Sequence, residues 1–387
     1  MKSCGIVAEY NPFHNGHRFQ LQSAREQSGA DVMVVAMSGN FTQRGEPAIY
    51  DKWVRARTAL ENGADLVLEQ SVLGSVQASD YFAKANVRLL HQMKCDYISF
   101  GAENGTSNEF SELAEKLVAS ANQIDKQFQL SRNDGSTYAA QMTEAIEATI
   151  GKTVIRMKEP NNQLALSYLK ENLNYPKPMK PFVVKRMGAG HHDHSTDTSK
   201  QASGTYLRTL LLNQDYANLD SWMPNADNLM QQEAISWKVL WPYLKYQLVL
   251  QTPEQLRTIY QMEEGIEFRL KKYSLAADTF TEFIESVKNK RWSWVRLQRL
   301  CVYILLGITR EETVAYFNSN QPVRILGFTD KGRAYLNQIK KDDETIFVTN
   351  INKSIAEKLT VEIRSDAIYS LGPAKEQNFR RSPIIIP

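Results

Sequence analysis

The apolar run over residues 4–10 breaks into Asn11-Pro12-Phe13-His14-Asn15-Gly16-His17, and residues 18–27 behind it have helical spacing. A strand, a loop rich in Asn, Pro and Gly, and a helix therefore open the chain. This start restricts the fold class more than any other segment. Val32-Met33-Val34-Val35-Ala36-Met37, bounded by Asp31 and by Ser38-Gly39-Asn40, has the continuous apolar character of a strand buried on both faces of a parallel sheet. Residues 52–62 have helical spacing with Gly63 placed to stop it, and Leu66-Val67-Leu68 is a third apolar run. Residues 81–92 read as a helix, and Tyr97-Ile98-Ser99-Phe100 as a strand ending at Gly101. Strands alternating with helices predict an α/β fold with a doubly wound parallel sheet, whose ligands bind outside the carboxyl ends of the strands. The loop 11–17, the segment 38–45 and Gly101 all fall at that edge.

Farther on, residues 110–150 read as amphipathic helices, and Pro181-Phe182-Val183-Val184-Lys185-Arg186 as one more strand that delivers Arg186 to its end. From about Trp222 long helical stretches take over, followed by a mixed segment with apolar runs at 324–328 and 345–349. A chain of 387 residues exceeds the size at which one core usually stops growing. The expected division is a first domain over 1–221 and a mainly helical second domain over 222–387. Hydrophobic residues at 42% and charged residues at 23% argue against a disordered, collagen-like or membrane-spanning chain. The N-terminal apolar run is too short for a signal peptide. Cys4, Cys95 and Cys301 are odd in number and far apart, which implies neither a disulfide framework nor a zinc knuckle and fits a reducing cytoplasm. A net charge of +3 leaves any affinity for nucleic acid to local patches.

His14 and His17 lie three residues apart on what should be a first helical turn, so their imidazoles face the same way. A helix N-terminus already attracts phosphate. Attack on the α-phosphate of ATP builds charge on non-bridging oxygens, which fixed imidazole donors and the helix dipole stabilise. Gly16, without a Cβ, lets a nucleobase or ribose approach the backbone. The alternative is an ordinary helix start with two surface histidines.

His14-Asn15-Gly16-His17 in this context resembles the HIGH superfamily, which includes nucleotidyltransferases and class I aminoacyl-tRNA synthetases. Three segments narrow the resemblance to the bacterial tRNA(Met) cytidine acetate ligase family: residues 5–17, residues 37–48 (Met-Ser-Gly-Asn-Phe-Thr-Gln-Arg-Gly-Glu-Pro-Ala) and Gly63-Ala64-Asp65-Leu66-Val67. The likeness covers most of the chain. It implies a nucleotide-binding stretch at Val7-Ala8-Glu9-Tyr10-Asn11-Pro12-Phe13-His14-Asn15-Gly16-His17-Arg18-Phe19-Gln20, with further ATP contacts at Gly101, Asn161 and Arg186. Gly101 suits close approach of a nucleotide or a plain strand-to-loop turn. Asn161, after Pro160, suits helix capping as well as a nucleotide contact. Arg186 suits bidentate binding of phosphate or a solvated surface.

Ala202-Ser203-Gly204-Thr205-Tyr206-Leu207-Arg208 resembles the superfamily's second phosphate motif, with Ser203, Thr205 and Arg208 as the β,γ-phosphate ligands; the simpler reading is a Ser-capped helix. Many relatives carry Ala where this chain has Gly204. Gly190-His191-His192-Asp193-His194 invites a metal reading, but successive residues rarely all face one ion, and the segment 188–201 reads as a mobile loop. No dedicated metal site is expected; Mg2+ would arrive with the ATP. In the segment 38–47, Ser38 and Asn40 suit the acyl carboxylate, and Gln43 and Arg44 suit phosphate or RNA. Lys288-Asn289-Lys290-Arg291-Trp292-Ser293-Trp294-Val295-Arg296-Leu297-Gln298-Arg299 interleaves basic and aromatic residues as an RNA surface would, although Trp292 at helical spacing equally suits a core. Lys331, Arg333, Lys340, Lys341, Arg380 and Arg381 are further RNA candidates.

The resemblance thus implies a Rossmann-like domain followed by a helical one, acting as an ATP-dependent ligase. Acetate becomes acetyl-adenylate with His14 and His17 stabilising the transition state. Its acetyl group then passes to N4 of the wobble cytidine of elongator tRNA(Met), giving N4-acetylcytidine, AMP and pyrophosphate, with no obligate protein partner. The rival readings are a small-molecule adenylyltransferase and a non-enzymatic RNA-binding protein.

Overall fold

The computed structural model describes residues 1–130, 138–185, 202–263, 265–340 and 345–387. Arg186, Lys341 and the segment 188–201 with its histidine cluster therefore lie outside the described residues. Five parallel strands follow the expected alternation: β1 (Ser3–Ala8), β2 (Val32–Ser38), β3 (Leu66–Gln70), β4 (Tyr97–Ala102) and β5 (Lys180–Lys185). Their order, β5-β4-β1-β2-β3, places β1 where the winding reverses, between β2 and β4. All seven residues of β2 are buried. Val32, Val34 and Ala36 enter the core on one face of the sheet, whereas Met33, Val35 and Met37 enter the core on the other.

The C-terminal half returns to this sheet. β6 (Val323–Thr329) pairs antiparallel with β3, from Leu66 opposite Phe328 to Glu69 opposite Arg324, with a register shift between Val67 and Leu68. β7 (Phe347–Val348) and β8 (Ile384–Ile386) pair parallel with β6 at its two ends. The mainly helical part lies between, from Trp237 to Asn318. Its core, with Trp241, Phe283 and Leu300, also takes in Phe41, Val72 and Val76 from the sheet's side.

Two polar assemblies fix the carboxyl edge. In the first, α1 (Asn15–Ser28) and α2 (Lys52–Glu61) flank the segment 38–51, and Asp51 caps α2 by accepting the Trp53 and Val54 amides at 2.9 Å. Arg55 of α2 is fully buried and donates to the carbonyls of Glu9, Ser38, Gly39 and Tyr50, at 2.7, 3.0, 2.5 and 2.9 Å. It ties the ends of β1 and β2 together. In the second, Lys52 Nζ meets Glu69 at 2.6 and 2.7 Å and Asp366 at 2.5 Å, while Arg324 Nε meets Glu69 at 3.3 Å. All four side chains are buried, so two cations and two anions neutralise one another out of water.

Candidate active site

The N-terminus of α1 is built by its own histidines. His14 is the N-cap, and its Nδ1 accepts the Gly16 amide at 3.1 Å; the Nδ1 of His17 accepts the His14 amide at 3.3 Å. A neutral imidazole that accepts at Nδ1 carries its proton on Nε2, so the N–H of each ring is at Nε2. The rings stack with centroids 3.8 Å apart, and buried Tyr10 and Phe13 pack against His17 at 4.9 and 5.6 Å. Gly16 has a different local reason from the one its sequence position suggests. A Cβ there would stand 2.9 Å from His14 Cε1, so glycine makes room for the capping imidazole.

Between β1 and β4, at the reversal of strand order, opens a cleft of about 420 Å³. Ligands of doubly wound sheets bind at this place. Val7, Ala8, Glu9, His17 and Gln20 from the first expected stretch line it together with Gly101 and Asn161. The other members of that stretch are not part of its lining. Tyr10, Pro12 and Phe13 are buried, Arg18 and Phe19 are exposed, and Asn15 Nδ2 donates to the Ser221 carbonyl at 2.8 Å. Asn11 Oδ1 accepts the Ile49 amide at 2.8 Å. Asn161 follows N-cap Glu159 and Pro160 at the start of the helix Pro160–Asn172, and its side chain and amide both donate to Glu103 Oε1, at 2.5 and 3.1 Å. The remaining Glu103 oxygen accepts the Asn162 amide at 2.9 Å. Glu103, which no sequence motif singles out, thus caps this helix from the strand β4 side and orients Asn161.

A second helix start faces the first. The helix Gly204–Leu212 is capped by Ser203, whose Oγ accepts the Tyr206 amide at 3.1 Å. His14 Nε2 lies 4.0 Å from the place of a Gly204 Cβ. Such a Cβ would meet only ordinary contacts of 3.5 Å and beyond, so an Ala would fit at this position equally well. Arg208 bridges the two helix starts: it donates to the Asn11 carbonyl at 2.9 Å and to Thr205 Oγ1 at 3.3 Å, and pairs with Glu46 at 3.2 Å. Two amide-rich helix ends and one guanidinium converge beside the cleft, an arrangement that holds phosphate.

The segment 38–47 divides its residues between frame and cleft. Asn40 is committed to the frame: its Nδ2 donates to Asp366 at 2.8 Å and Gln377 at 3.3 Å, and its Oδ1 accepts the Lys52 amide at 2.8 Å. Gln43 and Arg44 line the cleft. Gly45, at φ +79°, packs so tightly on the helix Trp294–Leu306 that a Cβ would lie 2.5 Å from the Arg299 amide. That packing brings Val295 and Arg299 into the cleft wall, a role their basic and aromatic surroundings in sequence did not signal. Trp292 is core, with the Arg296 guanidinium 3.8 Å above its ring. Among the described residues no group of three or more His, Cys, Asp or Glu is placed to hold a metal ion, and no helix is long and apolar enough to cross a membrane.

Residues 1–382 match the family described as HIGH Nucleotidyl Transferase. The chain is 39% identical to the tRNA(Met) cytidine acetate ligase of Ligilactobacillus salivarius (strain UCC118), over 100% of both chains. It is similar in structure to Thermotoga maritima TmcAL in its apo form, with a TM-score of 0.91 and 27% identity over 100% of both chains. It is also similar to the same protein bound with alpha-thio ATP, with a TM-score of 0.89 and 26% identity over 100% of this chain and 99% of that one. A chain whose histidine-capped helix and switch-point cleft are matched along its whole length in this way belongs to the HIGH nucleotidyltransferase family and, within it, to the tRNA(Met) cytidine acetate ligase family.

Proposed function

We propose that this chain activates acetate with ATP as acetyl-adenylate and transfers the acetyl group to N4 of the wobble cytidine of elongator tRNA(Met). The observation that carries the reading is the convergence of the His14/His17 helix start, the Ser203–Arg208 helix start and the β1/β4 cleft in a chain of this family. ATP lies with its α-phosphate before the Nε2–H donors of His14 and His17, and its outer phosphates reach Thr205, Arg208 and the amides of residues 204 and 205. Ser203 contributes chiefly by capping that helix. An acetate oxygen attacks the α-phosphate in line, and charge developing on the non-bridging oxygens meets donors already in place. The mixed anhydride keeps the free energy of ATP for the second step.

Among the described residues that line the cleft, Glu9 is the one carboxylate. Such a donor set suits Mg2+ carried in on phosphates and water better than a resident ion. Residues 222–387 hold the tRNA, and the reaction belongs to the cytoplasm. Transfer of radiolabelled acetate to purified tRNA, with and without ATP, followed by nucleoside analysis, tests the reading. ATP-dependent label in N4-acetylcytidine with release of AMP is expected. Label-free tRNA, with the nucleotide retained in a small product, would make the chain an adenylyltransferase instead.

A further inference from the structure

Adenylation as proposed above leaves Glu9 without a task. The residue follows β1 directly and lines the cleft with His17, Gly101, Tyr168 and Arg299. Its Oε1 accepts the Gln43 amide at 2.7 Å, which fixes the carboxylate beside the segment 38–47. A carboxylate at a site for polyphosphate opposes binding by like-charge repulsion, so its presence calls for a chemical reason. The second step supplies one. Acetate enters adenylation already ionised and needs no base, whereas the N4 amine of cytidine has its lone pair drawn into the ring and must lose a proton as it is acylated.

We propose that Glu9 is the general base of acetyl transfer. As the N4–carbon bond to the acetyl group forms, the amine proton passes to the Glu9 carboxylate. The carbon–oxygen bond to the phosphate breaks, and AMP leaves with that electron pair. Glu9 is left as the neutral acid and returns its proton to solvent. This assignment rests on the ligase reading. Burial pushes the Glu9 carboxyl up from its ordinary value, Glu46 adds to this, and the Gln43 amide, Arg208 and Arg44 pull the other way. Arg55 stands behind Glu9, and Tyr168, His17 and Arg299 face it from the other elements around the cleft. A carboxylate raised toward neutral pH is a stronger base than an ordinary one.

Glu9→Gln separates the two steps, because the amide oxygen still accepts the Gln43 amide. Acetate-dependent exchange of pyrophosphate into ATP reads adenylation, and single-turnover transfer from enzyme-bound acetyl-adenylate to tRNA(Met) reads the second step. Exchange is expected to change far less than transfer, and an unchanged far-ultraviolet circular dichroism spectrum shows that the variant folds. Transfer should fall about 100-fold and lose the acid limb that wild type shows as pH drops through the Glu9 pKa. Glu9→Asp should recover part of the rate. Equal losses in both assays would place Glu9 on the nucleotide and overturn the assignment, as would undiminished transfer. A wild-type chain without acetate-dependent exchange would instead overturn the ligase reading on which the assignment stands.

Discussion

His14 has two tasks that one substitution can separate. Its Nδ1 caps α1, and its Nε2–H faces the start of the helix 204–212. Asn is among the best N-caps but offers no donor at the position of Nε2. His14→Asn should therefore unfold within about 1 kcal/mol of wild type in urea, yet lose about 100-fold or more in acetate-dependent pyrophosphate exchange. Intact exchange would deny the ring any role in adenylation. Gly16→Ala probes the same geometry from behind. The added Cβ pushes against His14 Cε1, and a catalytic donor displaced by about 1 Å costs on the order of 100-fold in rate. The loss should appear in exchange with the melting temperature preserved, since Ala is a better helix former than Gly. The pair of histidines was legible in the sequence because periodicity puts residues three apart on one face. The true neighbour of Gly16 was not, because an imidazole that turns back to cap its own helix leaves no trace in spacing.

At the scale of elements, the five parallel strands were legible from apolar runs alternating with helices, and with them the edge that holds the cleft. β6 was not read as part of the sheet: Arg324-Ile325-Leu326-Gly327-Phe328 is a short apolar run whose partner, β3, is remote in sequence, and nothing local states that pairing. The segment 288–299 was read as an RNA surface, with a core place for Trp292 as the alternative, and its residues divide. Trp292 is buried and Arg299 reaches the cleft. Arg296 joins Ala78, Tyr260, Gln261, Glu263, Arg299 and Arg310 around a neighbouring cavity of about 410 Å³, where three guanidinium groups outnumber one carboxylate. Arg299 lines both spaces, so a polynucleotide whose cytidine enters the first would lay phosphate over the second. Arg310 is the cleanest probe, since it is exposed and its pair with Glu263 is long, at 3.9 Å. Arg310→Ala should raise the KM for tRNA several-fold and reduce the slope of log affinity against log salt by about 1, with exchange unchanged. An unaltered salt slope would take the phosphate contact away from this cavity.

The whole molecule depends on a joint that only the tertiary fold assembles. Lys52 from α2, Glu69 from β3, Arg324 from β6 and Asp366 from the helix Thr360–Tyr369 meet where the last part of the chain closes on the first. Asn40 touches two of them, so the joint also anchors the segment 38–47 on its way to the cleft. Replacing one member leaves its partner charged and out of water, which costs about 3–5 kcal/mol, whereas removing both members of a buried pair costs far less. Asp366→Asn should accordingly lower the urea midpoint by an amount worth about 3–5 kcal/mol at an unchanged m-value. Asp366→Leu combined with Lys52→Met leaves Glu69 and Arg324 to neutralise each other. The double variant should then lose clearly less than the sum of its two single variants, because the second change removes a charge that the first has stranded. Strict additivity would mean that Lys52 answers to Glu69 alone and that Asp366 does not fasten the C-terminal helix to the sheet.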